Sequence, residues 1–429
     1  MKKKILIITY YWPPAGGPGV QRWLKFVKYL PEFDVEPIVY CPENPNYPII
    51  DESLISEVSD AMTIIKQPIS EPYRFANILS KRNAKQISSG VIPKQKKQTF
   101  IQKLLLYVRG NFFIPDARKN WVKPSVSFLS NYILKQKIDT IITTGPPHSL
   151  HLIGLQLKQK HNIKWLADFR DLWTTIGYHK KLKLSNSSAE KHKMLETEVL
   201  QSADQIIVTS ANTKKEFTSK TNQPISVITN GYDNHKIKRP KKDALFTMAH
   251  IGSLLSERNP IQLWEALGEL INENELFSEE FRLQLIGVVS DDVIKALQQF
   301  GLSNHVNTLG YVSHKEAIEA QMSSQLLLLI EIDSEDTKVI IPGKLFEYMV
   351  SGTPIIALGP EDSDVETILK STNTGRYFYY NQKQAIKSQI LSYFEAYKSD
   401  VLTVNALGLK QYSRKELTKS LADLVKHKL

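Results

Sequence analysis

One segment predicts the architecture of the chain. It reads Ile341-Pro-Gly-Lys-Leu-Phe-Glu-Tyr-Met-Val-Ser-Gly-Thr-Pro-Ile-Ile-Ala357. Pro342 suits the first turn of a helix, and Gly352 suits its end. Apolar runs at 325–332 and 355–358 flank this helix and predict buried strands. Together they indicate a strand–helix–strand unit of a parallel sheet, with the helix N-terminus at the edge where such sheets bind ligands.

The charges on this helix indicate what it binds. Lys344 lies in the first turn, where the helix dipole disfavours a cation, and Glu347 lies on the same face one turn later. One interpretation is a surface ion pair between the two. The other is that Gly343, Lys344 and the free N–H groups hold a phosphate while Glu347 accepts hydrogen bonds from a sugar hydroxyl. The unfavourable position of the lysine favours the second.

Length and charge limit the function classes. The 429 residues predict two domains, and no apolar run is long enough to span a bilayer. Of the net charge of +11, residues 1–235 contribute +14 and the remainder −3. A basic first half predicts an anionic partner: a membrane surface, a phosphorylated acceptor or nucleic acid. No recognisable nucleic-acid module is present, so we predict no nucleic-acid partner.

Two further features bear on location. Cys41 is the only cysteine, which excludes an internal disulfide and fits a reducing cytoplasm. Residues 94–114 mix cations with aliphatic and aromatic residues. This composition suits an anionic membrane surface, although a solvated helix that packs its leucines on the domain explains it equally well. We therefore predict a cytoplasmic protein that can bind peripherally at the inner face of the membrane.

The first half reads as a βα series. Strand 4–9 leads through a glycine-rich turn containing Gly16 and Gly17 into helix 20–30. Such a turn is a phosphate-binding position in α/β folds, although a structural turn also accounts for the glycines. The spacing is not the dinucleotide fingerprint, which disfavours NAD. Residues 42–125 interrupt the series and read as an elaboration rather than a regular βα repeat.

Polar residues follow two predicted strands of this half. His148 follows strand 140–143, and Asp168, Arg170 and Asp171 follow strand 164–167. The carboxyl edge of a parallel sheet is where catalytic groups collect, which makes His148, Arg170 and Asp171 candidates. The alternatives are a structural histidine and a buried ion-pair network around Arg170.

A second βα series starts near residue 245. Its first turn contains Gly252, Ser253 and Arg258, and Arg258 could form the second half of an anion clamp with Lys344. The polar segment 235–242 suits a linker. We therefore predict two doubly wound α/β domains, 1–238 and 239–429, with a cleft between their sheet edges. The final helix, about 405–427, can pack back on the first domain.

Six segments in order resemble motifs of the GT-B glycosyltransferases, specifically the retaining family 4. They are Pro-Pro…Gly-Gly-Pro-Gly-Val-Gln-Arg22, Gly-Pro-Pro-His-Ser-Leu-His151, Asp-Phe-Arg-Asp-Leu-Trp173, Asn-Gly-Tyr-Asp233, Gly-Ser-Leu…Arg-Asn-Pro260 and Pro-Gly-Lys-Leu-Phe-Glu347. The Pro-Gly-Lys-Leu-Phe-Glu-Tyr form is similar to a subgroup in bacterial surface-polysaccharide assembly.

The resemblance implies two Rossmann-like domains and transfer of a sugar, with retention, from a nucleotide-sugar such as a UDP- or GDP-sugar. The N-terminal domain would hold a saccharide or lipid-linked acceptor. Glu347 matches the family glutamate that binds the ribose, and Arg258 matches the basic residue on the donor diphosphate. Gly16 and Gly17 match the loop that approaches the donor phosphates. The resemblance implies neither a cofactor nor a metal, and Asp362-Ser-Asp364 reads as a helix cap rather than a metal motif.

Three positions depart from the family pattern. Val339 occupies the position of a glutamate that contacts the transferred sugar, Arg170 that of a catalytic histidine, and Ser253 that of an arginine. Two alternatives therefore stand beside the transferase: a sugar-nucleotide epimerase or hydrolase of the same fold, and a catalytically inactive carbohydrate-binding partner.

Overall fold

The computed structural model describes residues 2–71, 100–233 and 239–427. It divides into two compact units. The N-terminal unit comprises Met1–Thr229 and Arg414–Leu429, and the C-terminal unit comprises Asn230–Ser413. The structural boundary thus lies before the predicted one at 238/239. Residues 234–238 of the predicted linker lie outside the described residues, as do residues 94–99 of the basic segment.

In its described part, the N-terminal unit contains one parallel sheet with the strand order β3-β2-β1-β4-β5-β6-β7. The strands are β1 Lys3–Ile8, β2 Val35–Pro42, β3 Thr63–Gln67, β4 Thr140–Gly145, β5 Lys164–Phe169, β6 Gln205–Val208 and β7 Ile225–Val227. The order reverses between β1 and β4, so the carboxyl ends of these two strands form the switch point where a doubly wound sheet binds ligands.

Helices cover both faces of this sheet. They are Pro18–Tyr29, Phe100–Phe112, Val122–Gln136, Ser149–Lys160, Gly177–Lys180, Asn186–Ser202, Ala211–Thr218 and Arg414–Lys426, with 3-10 helices at Leu30–Phe33, Glu52–Glu57 and Lys119–Trp121. The last of the α-helices returns from the C-terminal end of the chain. Its Leu417, Leu421 and Val425 are buried in one core with Trp23 and Val27 of the first helix.

The interpretation of residues 42–125 as an elaboration outside the βα repeat is wrong in one respect. Thr63–Gln67 forms an additional parallel strand that pairs with β2, from Thr63 opposite Ile38 to Gln67 opposite Pro42. This edge strand is only partly buried, with the pattern exposed, half-buried, half-buried, exposed, half-buried. Its apolar signal is therefore weak, because one of its edges and part of each face remain in water.

In its described part, the C-terminal unit contains a second parallel sheet with the order β10-β9-β8-β11-β12-β13. The strands are β8 Phe246–Ile251, β9 Phe281–Ile286, β10 Val306–Gly310, β11 Leu326–Ile330, β12 Ile355–Gly359 and β13 Gly375–Tyr379. The helices are Ile261–Glu273, Glu275–Glu280, Asp291–Gln299, His314–Ser323, Lys344–Ser351, Asp364–Thr372 and Lys383–Lys398, with 3-10 helices at Ser256–Arg258, Ser303–His305, Glu335–Thr337 and Leu409–Tyr412. Here the order reverses between β8 and β11.

The predicted α/β fold with two doubly wound, Rossmann-like sheets is confirmed. The strands β8, β11 and β12 are completely buried, as expected for central strands that have a helix layer on each face. The cleft that the sequence predicts between the domains stays a prediction. Among the described residues, no helix is long and apolar enough to cross a membrane.

Candidate active site

The helix Lys344–Ser351 begins and ends as the sequence predicts. Gly343 precedes it and Gly352 terminates it in the left-handed region at φ 77°. The helix follows β11, so its first turn lies at the carboxyl edge of the sheet, beside the switch point. Gly343 itself has an ordinary helical backbone, and a Cβ built there would meet no heavy atom within 4 Å. The space beside Gly343 is therefore free of other protein atoms.

The Lys344 ammonium does not pair with Glu347. It donates to the backbone oxygen of Ile251 at 2.9 Å and lies 3.5 Å from Nε2 of His250. Burial, with a smaller contribution from the Arg258 charge, lowers the pKa of Lys344 to about 7. The surface ion pair is thus the wrong interpretation, and the amine is a half-buried cation that an anion would stabilise.

Gly252 brings the first loop of this unit close to that amine. Its φ is 117°, and a Cβ built on it would lie 3.4 Å from the Lys344 Nζ. Gly252 N donates to Ile286 O at 2.7 Å, which ties the loop to β9. Ser253 follows with an exposed side chain. A side chain at position 252 would therefore be strained and would crowd Lys344.

Arg258 lies on the same site. It ends the 3-10 helix Ser256–Arg258, and its buried Nε has no hydrogen-bond partner among the described residues. Its charge lowers the pKa of Lys344 and also that of Glu331, so it lies near both groups. Two basic side chains without a carboxylate ion pair in the described structure thus lie near each other, and one of them is in the first turn of a helix. Such an arrangement is expected for a diphosphate.

Glu347 is held by the neighbouring helix His314–Ser323. Its Oε1 lies 3.1 Å from Nε2 of His314, and its Oε2 accepts from Nε2 of Gln321 at 3.3 Å. The side chain of Glu347 is 24% exposed, so its oxygens remain accessible. These contacts fix the rotamer of the carboxylate one turn from Lys344, which suits a hydrogen-bond acceptor for a ribose.

Glu331 is a site residue that the sequence analysis missed. It directly follows β11 and is 4% exposed, and its carboxylate accepts from Tyr377 Oη at 2.8 Å and from Ser363 Oγ at 3.0 Å. Burial raises the pKa of Glu331 to about 7, against the lowering effect of these hydroxyls and of Arg258. The signal in the sequence was a single glutamate in the otherwise apolar run 326–332.

Ser363 also confirms the interpretation of Asp362-Ser-Asp364 as a helix cap. Its Oγ accepts from the backbone N–H of Val365 at 3.2 Å at the start of helix Asp364–Thr372. Among the described residues, no group of three His, Cys, Asp or Glu side chains is arranged to hold a metal.

In the N-terminal unit, Asp168 belongs to a buried ion pair. It is 0% exposed and accepts from Nη2 of Arg22 at 2.8 Å, Nε1 of Trp23 at 2.9 Å and Oγ1 of Thr144 at 2.8 Å. Arg22 also donates to Thr229 O at 2.8 Å. The ion-pair network predicted around Arg170 is therefore wrong, because the cation that pairs with Asp168 is Arg22. With these donors Asp168 has a structural role.

The candidates Arg170 and Asp171 lie at the carboxyl end of β5. The backbone N–H of Arg170 donates to Gly145 O at 3.0 Å, and its guanidinium donates to Pro146 O. That guanidinium occupies the space in which a Cβ on Gly19 would lie. Burial raises the pKa of Asp171 even though the charge of Arg170 opposes this shift. Gly19 lies at the start of helix Pro18–Tyr29. A side chain there would displace the Arg170 guanidinium from its observed position.

His148 completes this edge. Its ring stacks on Trp173 with centroids 4.8 Å apart and planes at 1°, and neither ring nitrogen has a partner among the described residues. Burial, with smaller contributions from His151 and Arg170, lowers the pKa of His148 well below its usual value. The structure therefore brings His148, Arg170 and Asp171 together, with the imidazole neutral at physiological pH.

Gly16 and Gly17 have structural reasons for being glycine. A Cβ on Gly16 would lie 2.9 Å from Ile49 Cγ2, and Gly17 has a φ of 101°. The N–H of Gly16 donates to Ile49 O at 3.0 Å. Their contact with a donor phosphate stays a prediction.

Comparisons with known proteins address the fold and the family. Residues 89–236 match the family described as Glycosyltransferase Family 4. The curated proteins give no significant match. Among solved structures, sucrose-phosphate synthase from Thermosynechococcus elongatus is similar over 99% of this chain and 98% of its own, with 15% identity and a TM-score of 0.62.

Two further structures are similar over 98% or more of their length. The lipopolysaccharide outer core galactosyltransferase WaaB in its apo form shares 15% identity over 99% of this chain and 100% of its own, with a TM-score of 0.57. Anabaena HepE in complex with UDP-glucose shares 14% identity over 98% of both chains, with a TM-score of 0.57. At these identities the likeness shows the fold, which is GT-B, while the family match covers the N-terminal part of the chain.

Proposed function

We propose that this chain, a GT-B glycosyltransferase with a family 4 match over residues 89–236, transfers a sugar with retention from a nucleoside-diphosphate sugar to a lipid-linked or saccharide acceptor. The donor is a UDP- or GDP-sugar or a close relative. The product belongs to cell-surface polysaccharide biosynthesis, and the reaction takes place on the cytoplasmic side.

The observation that carries this proposal is the pair of cations at the C-terminal switch point. Lys344 lies in the first turn of the helix Lys344–Ser351 with Arg258 near it, and Glu347 is held one turn away as an acceptor. A nucleoside diphosphate matches this arrangement, because its phosphates would meet the cations while a ribose hydroxyl would meet Glu347. HepE, which has the same fold, was crystallised with UDP-glucose.

The transfer breaks the bond between the anomeric carbon of the sugar and the oxygen of the leaving diphosphate. A new bond forms from that carbon to an acceptor oxygen, which gives up its proton, and the diphosphate leaves with the electron pair. Positive groups already in place at the leaving oxygens stabilise this charge without reorganisation. A diphosphate needs no acid to leave, so Lys344, Arg258 and the helix N–H groups suffice for this half of the reaction.

The acceptor belongs, in this proposal, to the carboxyl edge of the N-terminal sheet. Asp171 has a raised pKa and lies next to Arg170, so it is the best candidate for taking up the acceptor proton. Arg170 would orient an anionic group of the acceptor or the donor. His148, neutral and stacked on Trp173, would act as a hydrogen-bonding group rather than a cation.

The first test is a thermal-shift panel of nucleoside diphosphates, because a ligand that binds the native state raises the melting temperature by mass action. We expect UDP or GDP to give the largest shift. Arg258→Ala is expected to weaken that binding about 100-fold, as loss of a preorganised charge contact typically does. Glu347→Ala should weaken it severely as well. Arg376→Ala and Glu319→Ala are matched controls, and unchanged affinity in both site variants would overturn the assignment.

Turnover separates the alternatives. Donor cleavage that requires an acceptor supports the transferase, cleavage without one supports an epimerase or hydrolase, and binding without turnover supports an inactive carbohydrate-binding partner. Val339 at the family's glutamate position and Arg170 at its histidine position are the reasons for keeping the last of these. We expect no metal or organic cofactor, so EDTA should leave the rate unchanged.

Peripheral membrane contact is the final part of the proposal. On helix Phe100–Phe112, Leu104 is 50% exposed, Tyr107 44% and Phe112 64%, and the same helix contains Lys103 and Arg109 but no acidic residue. Such a face can insert its apolar side chains between anionic headgroups. In a flotation assay, the protein should migrate with vesicles that contain phosphatidylglycerol. The double variant Leu104→Ser with Phe112→Ser should not migrate with them. Equal recovery of this double variant with the vesicles would remove the claim.

A further inference from the structure

A pocket lies within the C-terminal unit, at the part of the sheet edge formed by β11, β12 and β13. Its volume is about 640 Å³, in the range typical of small-molecule sites. Asn259, Asp333, Glu361, Tyr380 and Asn381 are among the residues that line it. It is separate from the N-terminus of helix Lys344–Ser351, because neither Lys344 nor Glu347 lines it.

The pocket nevertheless adjoins the diphosphate site. Asn259 directly follows Arg258 in the chain, and the phenol of Tyr380 donates to the backbone oxygen of Glu331 at 2.7 Å. Arg258, Glu331 and Asp333 all influence the pKa of Tyr380, so these groups lie close to one another. A ligand with its phosphates on Arg258 could therefore extend toward this pocket.

Several polar groups of the pocket have unused hydrogen-bonding capacity. Asp333, Glu361 and Asn381 are exposed, and their side chains make no hydrogen bond or ion pair to other described residues. The amide of Asn259, in contrast, is occupied: its Oδ1 accepts from Trp264 Nε1 at 2.7 Å and its Nδ2 donates to Asp292 O at 3.3 Å. The free groups are thus two acceptor-only carboxylates and one amide.

The side chains that line the pocket indicate which class of ligand it binds. Carboxylates repel phosphates and other anions, and they accept strong hydrogen bonds from hydroxyl groups. The half-buried rings of Tyr379 and Tyr380 add flat apolar surface that can pack against the C–H face of a pyranose. A metal ion is a poor match, since among the described residues no three carboxylate, His or Cys groups converge on one point.

We propose that this pocket is a subsite for a neutral saccharide unit, held by hydrogen bonds from its hydroxyls to Asp333, Glu361 and Asn381 and by packing on the two tyrosines. The subsite deepens the proposed function and rests on it for its role beside the donor. The saccharide is either the sugar of the donor itself or a separate saccharide, and the chemistry of recognition is the same for both.

The test measures binding of free D-glucose, D-galactose, D-mannose and N-acetyl-D-glucosamine to the full chain by saturation-transfer difference NMR. We expect at least one of them to bind. The double variant Asp333→Asn with Glu361→Gln keeps the side-chain shapes and should weaken that binding about tenfold, since it replaces two charge-assisted hydrogen bonds with neutral ones. Glu395→Gln, an exposed carboxylate of the same unit that does not line the pocket, is the matched control and should change nothing.

Nucleotide ligands then distinguish the two sources. If the subsite holds the donor sugar, the double variant weakens binding of UDP-glucose or GDP-mannose and leaves UDP and GDP unchanged. If it holds a separate saccharide, all four nucleotides bind the variant as they bind the wild type, while the free sugar is still lost.

Three results would overturn the subsite. They are no binding of any of these sugars to the wild type, unchanged sugar binding in the double variant, and binding of D-glucuronate as tight as that of D-glucose. Sugar binding without any binding of nucleoside diphosphates would instead contradict the proposed transferase and leave the subsite standing.

Discussion

The two sheets each carry a buried carboxylate near their carboxyl edge, and the two differ in what surrounds them. Asp168 in β5 has a full ion pair with Arg22 at 2.8 Å and two further donors. Glu331 after β11 has two hydroxyl donors, and the nearby cation Arg258 makes no ion pair with it in the described structure. The first arrangement is complete without a ligand, whereas the second leaves positive charge available for one.

This contrast explains why similar sequence features have different roles. Arg22 is 1% exposed and is committed to Asp168 and Thr229. Arg258 has a buried Nε without a partner among the described residues. A cation that is already paired stabilises the fold, and one that is unpaired and half-buried costs stability until an anion arrives. Such unfavourable placement is expected at binding sites.

The largest expected effect comes from breaking the buried ion pair between Asp168 and Arg22. Asp168→Asn leaves the Arg22 charge buried and uncompensated, which should lower the free energy of unfolding of the N-terminal unit by about 3–5 kcal/mol. Urea unfolding followed by tryptophan fluorescence measures it, because Trp12, Trp23, Trp121, Trp165 and Trp173 lie in this unit. The double variant Arg22→Met with Asp168→Asn should recover part of the loss. A loss below 1 kcal/mol in the single variant would contradict the structural role.

The next expected effect is a gain in the free energy of unfolding, on substitution of Glu331. The pKa of Glu331 rises from 4.5 to about 7 on folding, so the native state binds more protons than the unfolded state between these values. The stability contribution of Glu331 is therefore present below pH 4.5 and is lost as the pH rises through 7. Glu331→Gln should match the wild type at pH 5 and exceed it by on the order of 1–3 kcal/mol at pH 8.

Calorimetry of both proteins across this pH range checks the prediction, with Glu395→Gln as the control for a carboxylate at the surface. Equal pH dependence of wild type and Glu331→Gln would show that the carboxyl of Glu331 is not perturbed by burial.

A smaller effect concerns the pH dependence of nucleotide binding. Lys344 has a pKa of about 7, and a bound diphosphate should raise it, so binding takes up a proton above pH 7. We expect the dissociation constant of the preferred nucleoside diphosphate to increase about tenfold between pH 7 and pH 9, where the phosphate charge no longer changes. Lys344→Arg should remove this slope, because a guanidinium stays charged.

Isothermal titration calorimetry in buffers of different ionisation enthalpy measures the proton uptake directly. The slopes of wild type and Lys344→Arg are compared rather than their absolute affinities, since arginine is larger. A variant that keeps the full slope would assign the titration to another group.

The smallest expected effect on the free energy of unfolding is that of an exposed ion pair. Lys193 and Glu190 form an exposed pair at 3.0 Å, with side chains 64% and 72% exposed. Lys193→Gln should change the free energy of unfolding by less than about 0.5 kcal/mol, because water and salt screen such a pair. Urea unfolding, as for Asp168→Asn, measures this change. A larger effect would show that the stability differences between the variants do not depend on burial of the charge.

Local features of the chain predicted most of the fold. Apolar runs gave strands such as Leu326–Ile330 and Ile355–Gly359, and Pro342 with Gly352 bracketed the helix between them. These signals depend only on neighbouring residues, so they are readable without a structure. Strand Thr63–Gln67 escaped because an edge strand with little burial has no strong pattern. The final helix begins at Arg414 rather than near 405.

The roles of individual charges were decided by tertiary structure alone. The sequence put Lys344 in an unfavourable place, but only the fold shows that its ammonium meets Ile251 and His250 instead of Glu347. It likewise pairs Asp168 with Arg22, 146 positions away, and not with adjacent Arg170. Glu331 was unremarked in the sequence because burial and hydroxyl donors, which come from distant segments, create its altered pKa. Periodicity and capping are local, whereas desolvation and pairing depend on contacts between residues far apart in the chain.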